Sequence, residues 1–432
     1  MLPGAIVYNR LPAVSRGARR RNARAYAVIP PVQNFAGPEL REQGEVSTPS
    51  HLVPKIGTAA SPGLFLMTNS FETGGSEQQF VALARSLDPS AFRLHLGCIQ
   101  SIGAFQDGLG DIPQFGLGGS LYKFESLKAR WRLSRHLRNL GVAIAQAFDF
   151  YTNLTLIPTA RMARLPVVIG SHRQIGDLLT LAQFRAQGAV FRLCDRVVCN
   201  SRAAAQSLLD HGLSERKVVV IGNGLPESAF AKTEPSVPRT PGVLRVGMIA
   251  RMNARYKNHG MFLRVAAQLC SEFPDVEFAL VGDGPLRPEL ERQAEDLWIR
   301  DRVRFFGDRR DITALLASFD LSVVPSASES LSNVVLESMA AGVPVLAARV
   351  GGNLELLSDG RGNMFPASDE AALLHGLQRL LKDAGLRARI SEKARPFVQA
   401  NFTIGQVAKQ YESLYVELLA RSSWGPKTRS RS

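Results

Sequence analysis

Two basic side chains, Arg251 and Lys257, stand where a bound anion would be expected. Arg251 follows the apolar run at residues 244–250, and Lys257 comes six residues later, ahead of a predicted helix. Strand ends and helix starts in α/β proteins favour anions, because unpaired backbone N–H groups and the helix dipole meet there. An arginine fork and a lysine point charge suit a diphosphate, and they would stabilise its charge if it were a leaving group. Taken alone, the pair is equally compatible with ordinary loop cations.

Two acidic side chains, Glu329 and Glu337, flank a second predicted junction. Residues 323–345 indicate a strand, a polar loop that contains Glu329, and a helix with Ser332 as N-cap and Glu337 in its second turn. We interpret Glu329 as an acceptor for sugar hydroxyls and Glu337 as an acceptor for a ribose diol, because carboxylates accept from adjacent hydroxyls. The N–H groups expected to face phosphates are those of Leu331, Ser332 and Asn333. For isolated glutamates, solvated charges would be the simpler interpretation.

The elements that must position these residues follow from the alternation of apolar runs and helical patterns from residue 63 onward. The alternation predicts an α/β protein with parallel sheets. Three prolines within residues 232–242 interrupt it, so we predict two Rossmann-like, doubly wound domains that face each other across a cleft. The predicted boundaries are a basic, disordered extension (1–61), a first domain (62–228), a linker (229–242), a second domain (243–400), a helix that crosses back to the first domain (401–420) and a basic tail (421–432).

The net charge of +14 would suggest nucleic-acid binding if it were spread over the chain. Instead, residues 1–61 contain eight basic and three acidic side chains, and residues 421–432 contain four basic side chains and no acidic one. Such tails attract anionic lipid or polyphosphate, or are simply solvated. No apolar run is long enough to span a membrane, and no secretory signal is recognisable. We therefore expect a cytoplasmic protein without a nucleic-acid partner.

Metal chemistry is not indicated. The four cysteines form no C-x-x-C pair, and no Asp-x-Asp sequence occurs. These patterns predict neither a metal site nor a disulfide framework. Neutralisation of a departing diphosphate would then fall to Arg251, Lys257 and helix N–H groups.

The order and spacing of these motifs resemble the group 1, or family 4, retaining glycosyltransferases, which have the two-Rossmann GT-B architecture. Glu329 and Glu337 match the E-x7-E motif of that family. Arg251 and Lys257 match its diphosphate-binding pair at the same spacing. The resemblance extends over residues 63–420.

Several glycines and one histidine extend the resemblance. The V-G-D-G-P segment at 281–285, which contains Gly282, is similar to a donor-site motif of the family. Gly74 and Gly75 resemble its G-G-x-E loop near the donor phosphate and the acceptor, where glycine permits close backbone approach. His172 matches the histidine that faces the donor sugar across the cleft. The alternatives are a tight strand-to-helix turn for the glycines and a structural role for the histidine.

The resemblance implies transfer of a hexosyl-type unit from a nucleoside diphosphate sugar, with retention and without a metal ion or cofactor. The acceptor would be a saccharide or a lipid-linked molecule in surface polysaccharide or glycolipid assembly. It would attack from the face that the leaving group occupies, and the departing phosphate would assist removal of its proton. Glu329, Arg251, Lys257 and His172 would then be catalytic, but Glu329 is not interpreted as a nucleophile.

Residues 121–140 combine six Lys or Arg side chains with three aromatic ones. This segment would suit the anionic surface at the inner face of a membrane, as in related enzymes with lipid-linked acceptors. It would equally suit a Rossmann helix that covers the sheet with its apolar side and turns its charged side to water. Both interpretations stay open at the level of sequence.

Two rival functions are compatible with parts of the pattern. A nucleotide-sugar epimerase would use the same architecture, whereas a phosphorylase would need a lysine-bound pyridoxal cofactor and a longer chain. A non-catalytic membrane or nucleic-acid binding module would use the basic tails, but no RNA-recognition or helix-turn-helix signature is present. The glycosyltransferase is therefore the favoured prediction.

Overall fold

The computed structural model describes residues 61–72, 74–117 and 124–422, and it contains two six-stranded sheets. Residues 1–60 of the extension predicted for 1–61, residues 423–432 of the tail predicted for 421–432, and residues 121–123 of the basic segment lie outside the described residues. The first sheet is formed by β1 (Gly63–Thr68), β2 (Arg93–Cys98), β3 (Val142–Ala147), β4 (Val167–His172), β5 (Arg196–Cys199) and β6 (Val218–Val220). All its strands are parallel, in the order β2-β1-β3-β4-β5-β6. Every residue of β1, β3 and β4 is buried, as expected where helices cover both faces.

The second sheet repeats this design with a different strand order. Its strands are β7 (Leu244–Ile249), β8 (Val276–Val281), β9 (Val303–Phe305), β10 (Leu321–Val324), β11 (Val345–Ala348) and β12 (Asn363–Phe365). They lie in parallel in the order β12-β11-β10-β7-β8-β9. The chain adds strands on one side of β7 and then returns to add the rest on the other side. A topological switch point therefore lies between β7 and β10, and the two sheets confirm the predicted pair of Rossmann-like domains.

Helices connect the strands in both domains. Those of the first domain are α1 (Gly75–Ser86), α2 (Phe124–Asn139), α3 (Phe150–Met162), α4 (Leu181–Phe191) and α5 (Arg202–Asp210). Those that follow are α6 (His259–Glu272), α7 (Arg287–Asp296), α8 (Ile312–Leu316), α9 (Asn333–Ala340), α10 (Asn353–Leu357), α11 (Glu370–Lys382), α12 (Ala384–Asn401) and α13 (Ile404–Arg421). Several of these helices begin at an N-cap residue whose side chain accepts a backbone hydrogen bond, such as Asp149 for α3 and Thr403 for α13. None of the described helices is both long and apolar enough to cross a membrane.

The last helix, α13, packs on the first domain. Tyr411 and Tyr415 of α13 are buried in the same apolar cluster as β1 residues. The Tyr415 hydroxyl donates a hydrogen bond of 2.6 Å to Oε1 of Gln146 in β3. The C-terminal part of the chain thus returns across the domain boundary.

The two connections between the domains run side by side. The N–H of Leu225 donates to the carbonyl of Phe402 at 2.8 Å, and the N–H of Ile404 donates back to Leu225 at 2.7 Å. Ala229 and Phe230 are already buried against residues of α9 and α12. Packing against the second domain therefore begins ahead of the proline-rich segment.

Candidate functional site

A cavity of about 550 Å³ opens between the two domains at the strand ends of both sheets. Its lining includes every site residue predicted from the sequence except His172. Those residues are Arg251, Lys257, Glu329, Glu337, Gly74, Gly75, Gly282, Leu331, Ser332 and Asn333. One site thus combines residues that lie up to 263 positions apart in the chain.

The strand order explains why the charged residues converge. Arg251 follows β7, and Glu329 follows β10, which is the neighbour of β7 across the switch point. Loops at a switch point leave the sheet on opposite faces, so a crevice forms between them at the carboxyl ends of the strands. The position of the cavity follows from this topology.

Lys257 and Glu329 form an ion pair inside the cavity. Lys257 ends a short 3₁₀ helix (Arg255–Lys257), and its Nζ donates to Oε1 of Glu329 at 2.6 Å. The N–H of Ala327 donates to the Tyr256 carbonyl at 2.8 Å, which ties the two loops together. Burial alone would lower the pKa of Lys257, but attraction to Glu329 and Tyr256 and the hydrogen bond to Glu329 outweigh it and raise the pKa. Lys257 is therefore charged at neutral pH.

The loop that carries Glu329 rests on a glycine turn. Gly351 has φ +45°, and a Cβ at this position would lie 1.7 Å from the Glu329 carbonyl oxygen. The next residue, Gly352, donates its N–H to the Ser330 carbonyl at 2.7 Å. The turn at Gly351 and Gly352 thus supports the Glu329 loop through close backbone contact.

Helix α9 presents its N-terminus and Glu337 to the same cavity. Ser332 is the N-cap, and its hydroxyl accepts from the Val335 N–H at 3.4 Å. Glu337, in the second turn, accepts a hydrogen bond of 3.0 Å from Nε2 of Gln78 in the first domain. Burial raises the pKa of Glu337 to about 7, although the bond from Gln78 opposes this shift. This carboxyl group therefore changes charge near neutral pH.

Amide side chains join the two walls of the cavity. Asn223, after β6, donates to Oδ1 of Asn333 at 2.6 Å and to the Leu331 carbonyl at 3.2 Å. Asn333 in turn donates to Oε1 of Gln78 and to the Gly75 carbonyl, both at 3.2 Å. Asn223 and Gln78 were not predicted as site residues. Only the docking of the two domains brings them to α9.

Gly282 occupies a position at which a side chain would clash with the site backbone. Its φ is +120°, and a Cβ would lie 2.3 Å from the Ala250 carbonyl oxygen, directly before Arg251. The N–H of Gly282 donates to the Gly307 carbonyl at 2.8 Å. Glycine in the V-G-D-G-P motif therefore allows the backbone at Gly282 to lie close to the backbone just before Arg251.

The structure does not bring His172 to the cavity. Its side chain at the end of β4 is fully buried, and its ring packs edge-on against Phe184 and Phe191. Burial lowers its pKa to about 4. The residue that lines the cavity at this strand end is the next one, Arg173. Successive side chains of an extended chain point in opposite directions, so only one of these two neighbours can face the cavity. The sequence alone does not reveal which of them does.

Among the described residues, no cluster of three or more His, Cys, Asp or Glu side chains could hold a metal ion. The charged groups of the cavity lining instead include four arginines and one lysine. These are Arg173, Arg251, Lys257, Arg309 and Arg310. The arrangement is suited to binding an anionic ligand through side chains and helix N–H groups.

Two family models match the chain. The model described as "Glycosyl transferases group 1" matches residues 243–383, and the model described as "Glycosyltransferase Family 4" matches residues 73–228. These two ranges correspond to the two Rossmann-like domains. The range 243–383, in the second domain, contains Arg251, Lys257, Glu329 and Glu337.

Individual relatives agree with the family models. The lipopolysaccharide core biosynthesis glycosyltransferase LpsE of Rhizobium meliloti is 30% identical over 242 residues, which are 56% of this chain and 68% of LpsE. The alpha-D-kanosaminyltransferase of Streptomyces kanamyceticus is 27% identical over 330 residues, which are 70% and 84% of the two chains. The crystal structure of HepE from Anabaena in complex with UDP and glucose is similar with a TM-score of 0.72 at 21% identity, and it covers 82% of this chain and 99% of HepE. The chain therefore belongs to the group 1, family 4 glycosyltransferases with GT-B architecture.

Proposed function

We propose that the protein transfers a hexosyl-type unit from a nucleoside diphosphate sugar to a saccharide or lipid-linked acceptor, with retention and without a metal ion. The carrying observation is the convergence of Arg251, Lys257, Glu329 and Glu337 on one cavity at the switch point of the second sheet. The name of LpsE, a lipopolysaccharide core biosynthesis glycosyltransferase, supports a role in polysaccharide or glycolipid synthesis. The UDP and glucose bound to HepE support a nucleotide-sugar donor.

Each residue has a role that its position supports. Glu337 accepts hydrogen bonds from the ribose diol, and Arg251, Lys257 and the start of α9 bind the diphosphate. Glu329 accepts from hydroxyls of the transferred sugar. In the reaction, the bond between the anomeric carbon and the diphosphate breaks as the acceptor oxygen bonds to the same face of that carbon, and the acceptor proton passes to the departing phosphate.

Metal independence is supported by the cations that already face the leaving-group position. Arg251 and Lys257 can neutralise the charge that develops on the diphosphate. We expect the same initial rate with excess EDTA as with added Mg²⁺ or Mn²⁺. A rate that is abolished by EDTA and restored by either ion would disprove this part of the proposal.

Donor identity is tested by thermal shift with nucleoside diphosphates and their sugars. We expect one base to raise Tm strongly, because a ligand that binds only the folded state stabilises it. The variants Arg251→Ala and Glu337→Gln should show a smaller shift than wild type, while each still unfolds in one cooperative transition. Equal shifts in both variants would argue against this donor site.

Product analysis distinguishes a transferase from an epimerase. A transferase releases the nucleoside diphosphate and retains the anomeric configuration of the donor in the new glycosidic bond, which NMR coupling constants report. An epimerase would return a nucleotide sugar of altered stereochemistry without free diphosphate.

Contact with an anionic membrane is supported by the outer face of α2. Phe124, Leu127 and Trp131 recur at helical spacing and are 79%, 58% and 60% exposed. The opposite face of α2, which includes Ala129 and Leu133, is buried against the first domain. Exposed basic residues flank the outer apolar stripe, namely Lys128, Arg132 and Arg135. A helix with aromatic and basic residues on its free side suits an interface with anionic lipid.

Vesicle sedimentation tests this surface. We expect the full chain to bind vesicles that contain phosphatidylglycerol, and Trp131→Ala to reduce binding. Trp298→Ala is the matched control, because Trp298 is 94% exposed but lies in the second domain. Equal loss in both variants, or no binding by the wild type, would contradict the membrane proposal.

A further inference from the structure

Arg173 enters the cavity from the first domain. It directly follows β4, on the wall opposite Arg251 and Lys257. Its Nη2 donates to Oδ1 of Asn223 at 2.5 Å, and its guanidinium carbon lies 5.0 Å from the centre of the Phe148 ring. The side chain is thus held in one place by an amide and an aromatic face rather than by a carboxylate.

The positive charge of Arg173 is incompletely compensated. The ion pairs found among residues 61–72, 74–117 and 124–422 do not include it. Its Nε is buried and donates no hydrogen bond to any described residue. Burial lowers the pKa of Arg173, and Tyr411 and Glu77 only partly oppose this. A largely buried charge without an ionised partner is costly, so such a group often marks a ligand site.

The other cations of the cavity divide into two kinds. Lys257 pairs with Glu329 at 2.6 Å, and Arg309 pairs with Asp311 at 2.5 Å. Arg310 lies 3.9 Å from Asp107. Within the described parts of the chain, the cavity-lining cations that form no ion pair are Arg251 on the second domain and Arg173 on the first. One anion between the domains could contact both.

The hydrogen bonds around Asn223 locate Arg173 close to the start of α9. Asn223 accepts from Arg173 and donates to Oδ1 of Asn333 at 2.6 Å, so a single amide group separates the guanidinium from α9. The N-terminus of α9 is where the diphosphate would bind. An anion there would lie within reach of an arginine side chain from the facing domain.

We propose that Arg173 binds the diphosphate of the donor from the first domain and stabilises it as the leaving group, together with Arg251 from the second domain. This inference rests on the proposed function and deepens it. The diphosphate then bridges the two domains, so closure of the cleft and neutralisation of the leaving group become one event. The first domain contributes directly to donor binding as well as to the acceptor side.

Calorimetric titration with UDP, GDP and ADP, each beside its monophosphate, tests the proposal on the full chain. Arg173→Met retains an unbranched side chain about as long as the aliphatic stem of arginine, and it removes the guanidinium group with its charge. We expect it to weaken binding of the preferred diphosphate by about 10- to 100-fold, the equivalent of a lost charged hydrogen bond. Binding of the monophosphate should change far less, and Arg173→Lys should recover part of the loss. Arg192→Gln, an exposed arginine at the end of α4, is the control and should bind like wild type.

Three results would overturn the proposal. The first is equal diphosphate affinity of Arg173→Met and wild type. The second is unchanged diphosphate affinity together with a higher KM for the acceptor, which would assign Arg173 to an anionic acceptor instead. A lowered Tm with full affinity in both variants would show a structural role. If the wild type binds no diphosphate, the proposed function fails; if it binds and Arg251→Ala alone weakens binding, only the role of Arg173 fails.

Discussion

The two walls of the cavity differ in how they hold their charges. On the second-domain wall, Lys257 and Glu329 neutralise each other, and their loops are tied by backbone bonds and by the Gly351 turn. On the first-domain wall, Arg173 forms no ion pair with a carboxylate in the described part of the chain, and Gln78 donates to Glu337 of the second domain. The second wall is assembled within one domain, whereas the first wall is completed only by contact with the other.

Under the proposed function, this difference would separate two parts of donor recognition. A preorganised wall loses little entropy when a ligand binds, so the second domain is suited to hold the nucleotide in an open cleft. We expect the first wall to change when the cleft closes, because its contacts with α9 depend on the angle between the domains. The paired connections at Leu225 and Phe402 are the covalent links about which that angle can change.

Removal of Lys257 is expected to have the largest effect. Lys257→Ala leaves Glu329 without its counter-charge and removes a cation from the diphosphate, so kcat/KM should fall by about 10²- to 10³-fold. Steady-state kinetics measure the loss. Lys382→Ala serves as control, because this exposed lysine of α11 pairs with Glu272 at 2.6 Å away from the cavity. A loss below about 10-fold would mean that the preorganised pair has little part in catalysis.

The support beneath Glu329 should be nearly as sensitive. In Gly351→Ala the new Cβ would overlap the Glu329 carbonyl, so we expect the free energy of unfolding to fall by about 3 kcal/mol. Gly342→Ala is the control, since Gly342 also has positive φ but no heavy atom within 4 Å of the new Cβ. It should cost about 1 kcal/mol, from backbone strain alone. Urea unfolding measures the loss of unfolding free energy in both variants. Equal losses would contradict the close packing of Gly351 against the Glu329 carbonyl.

Glu337 should make donor binding depend on pH. Its pKa is about 7 because it is buried, and ribose hydroxyls donate to the ionised form. Diphosphate affinity should therefore fall as pH drops from 8 to 6. Glu337→Gln should bind about 10-fold more weakly than wild type at pH 8 and should lose this contribution to the profile. A variant profile identical to wild type would assign the dependence to Glu77, whose pKa burial also raises to about 7.

The same shift links stability to pH. The folded state retains the Glu337 proton up to about pH 7, whereas the unfolded chain releases it near the ordinary value of 4.5. The contribution of Glu337 to the free energy of unfolding should therefore decline between pH 4.5 and 7. Above pH 7 this contribution should not decline further. Glu337→Gln should gain stability relative to wild type over that window, as thermal unfolding at pH 5 and 8 would show.

The smallest effect is expected at Gln78. Gln78→Ala removes the donor that occupies Glu337 in the unliganded cavity, so the ribose no longer displaces a protein hydrogen bond. Diphosphate affinity should rise by about 3-fold, the equivalent of one weak neutral bond. Calorimetry measures the change, and exposed Gln183→Ala of α4 is the control. Weaker binding would instead assign Gln78 to the ligand.

Much of the site was predictable because its motifs are local. Arg251 and Lys257 follow one strand, and Glu329, Ser332 and Glu337 belong to one strand, loop and helix, so short-range patterns contain their positions. The assignment of His172 illustrates the limit. His172 and Arg173 are adjacent at the end of β4, and the structure buries the first and turns the second into the cavity. Which of the two residues points into the cavity depends on the orientation of β4 in the sheet. A strand that is buried on both faces has no alternation of polar and apolar residues that would reveal this orientation.

The sequence by itself determined the parallel α/β architecture, the helix start at Ser332 and the grouping of charges at strand ends, because each depends on residues close together in the chain. Only the tertiary structure decided that β10 lies beside β7, that α13 packs on the first domain, and that Gln78 and Asn223 contact α9. These contacts join residues at least 75 positions apart, the separation of Val246 and Leu321. They arise from the order in which strands pair and from the docking of two domains, and neither leaves a periodic mark in the local sequence.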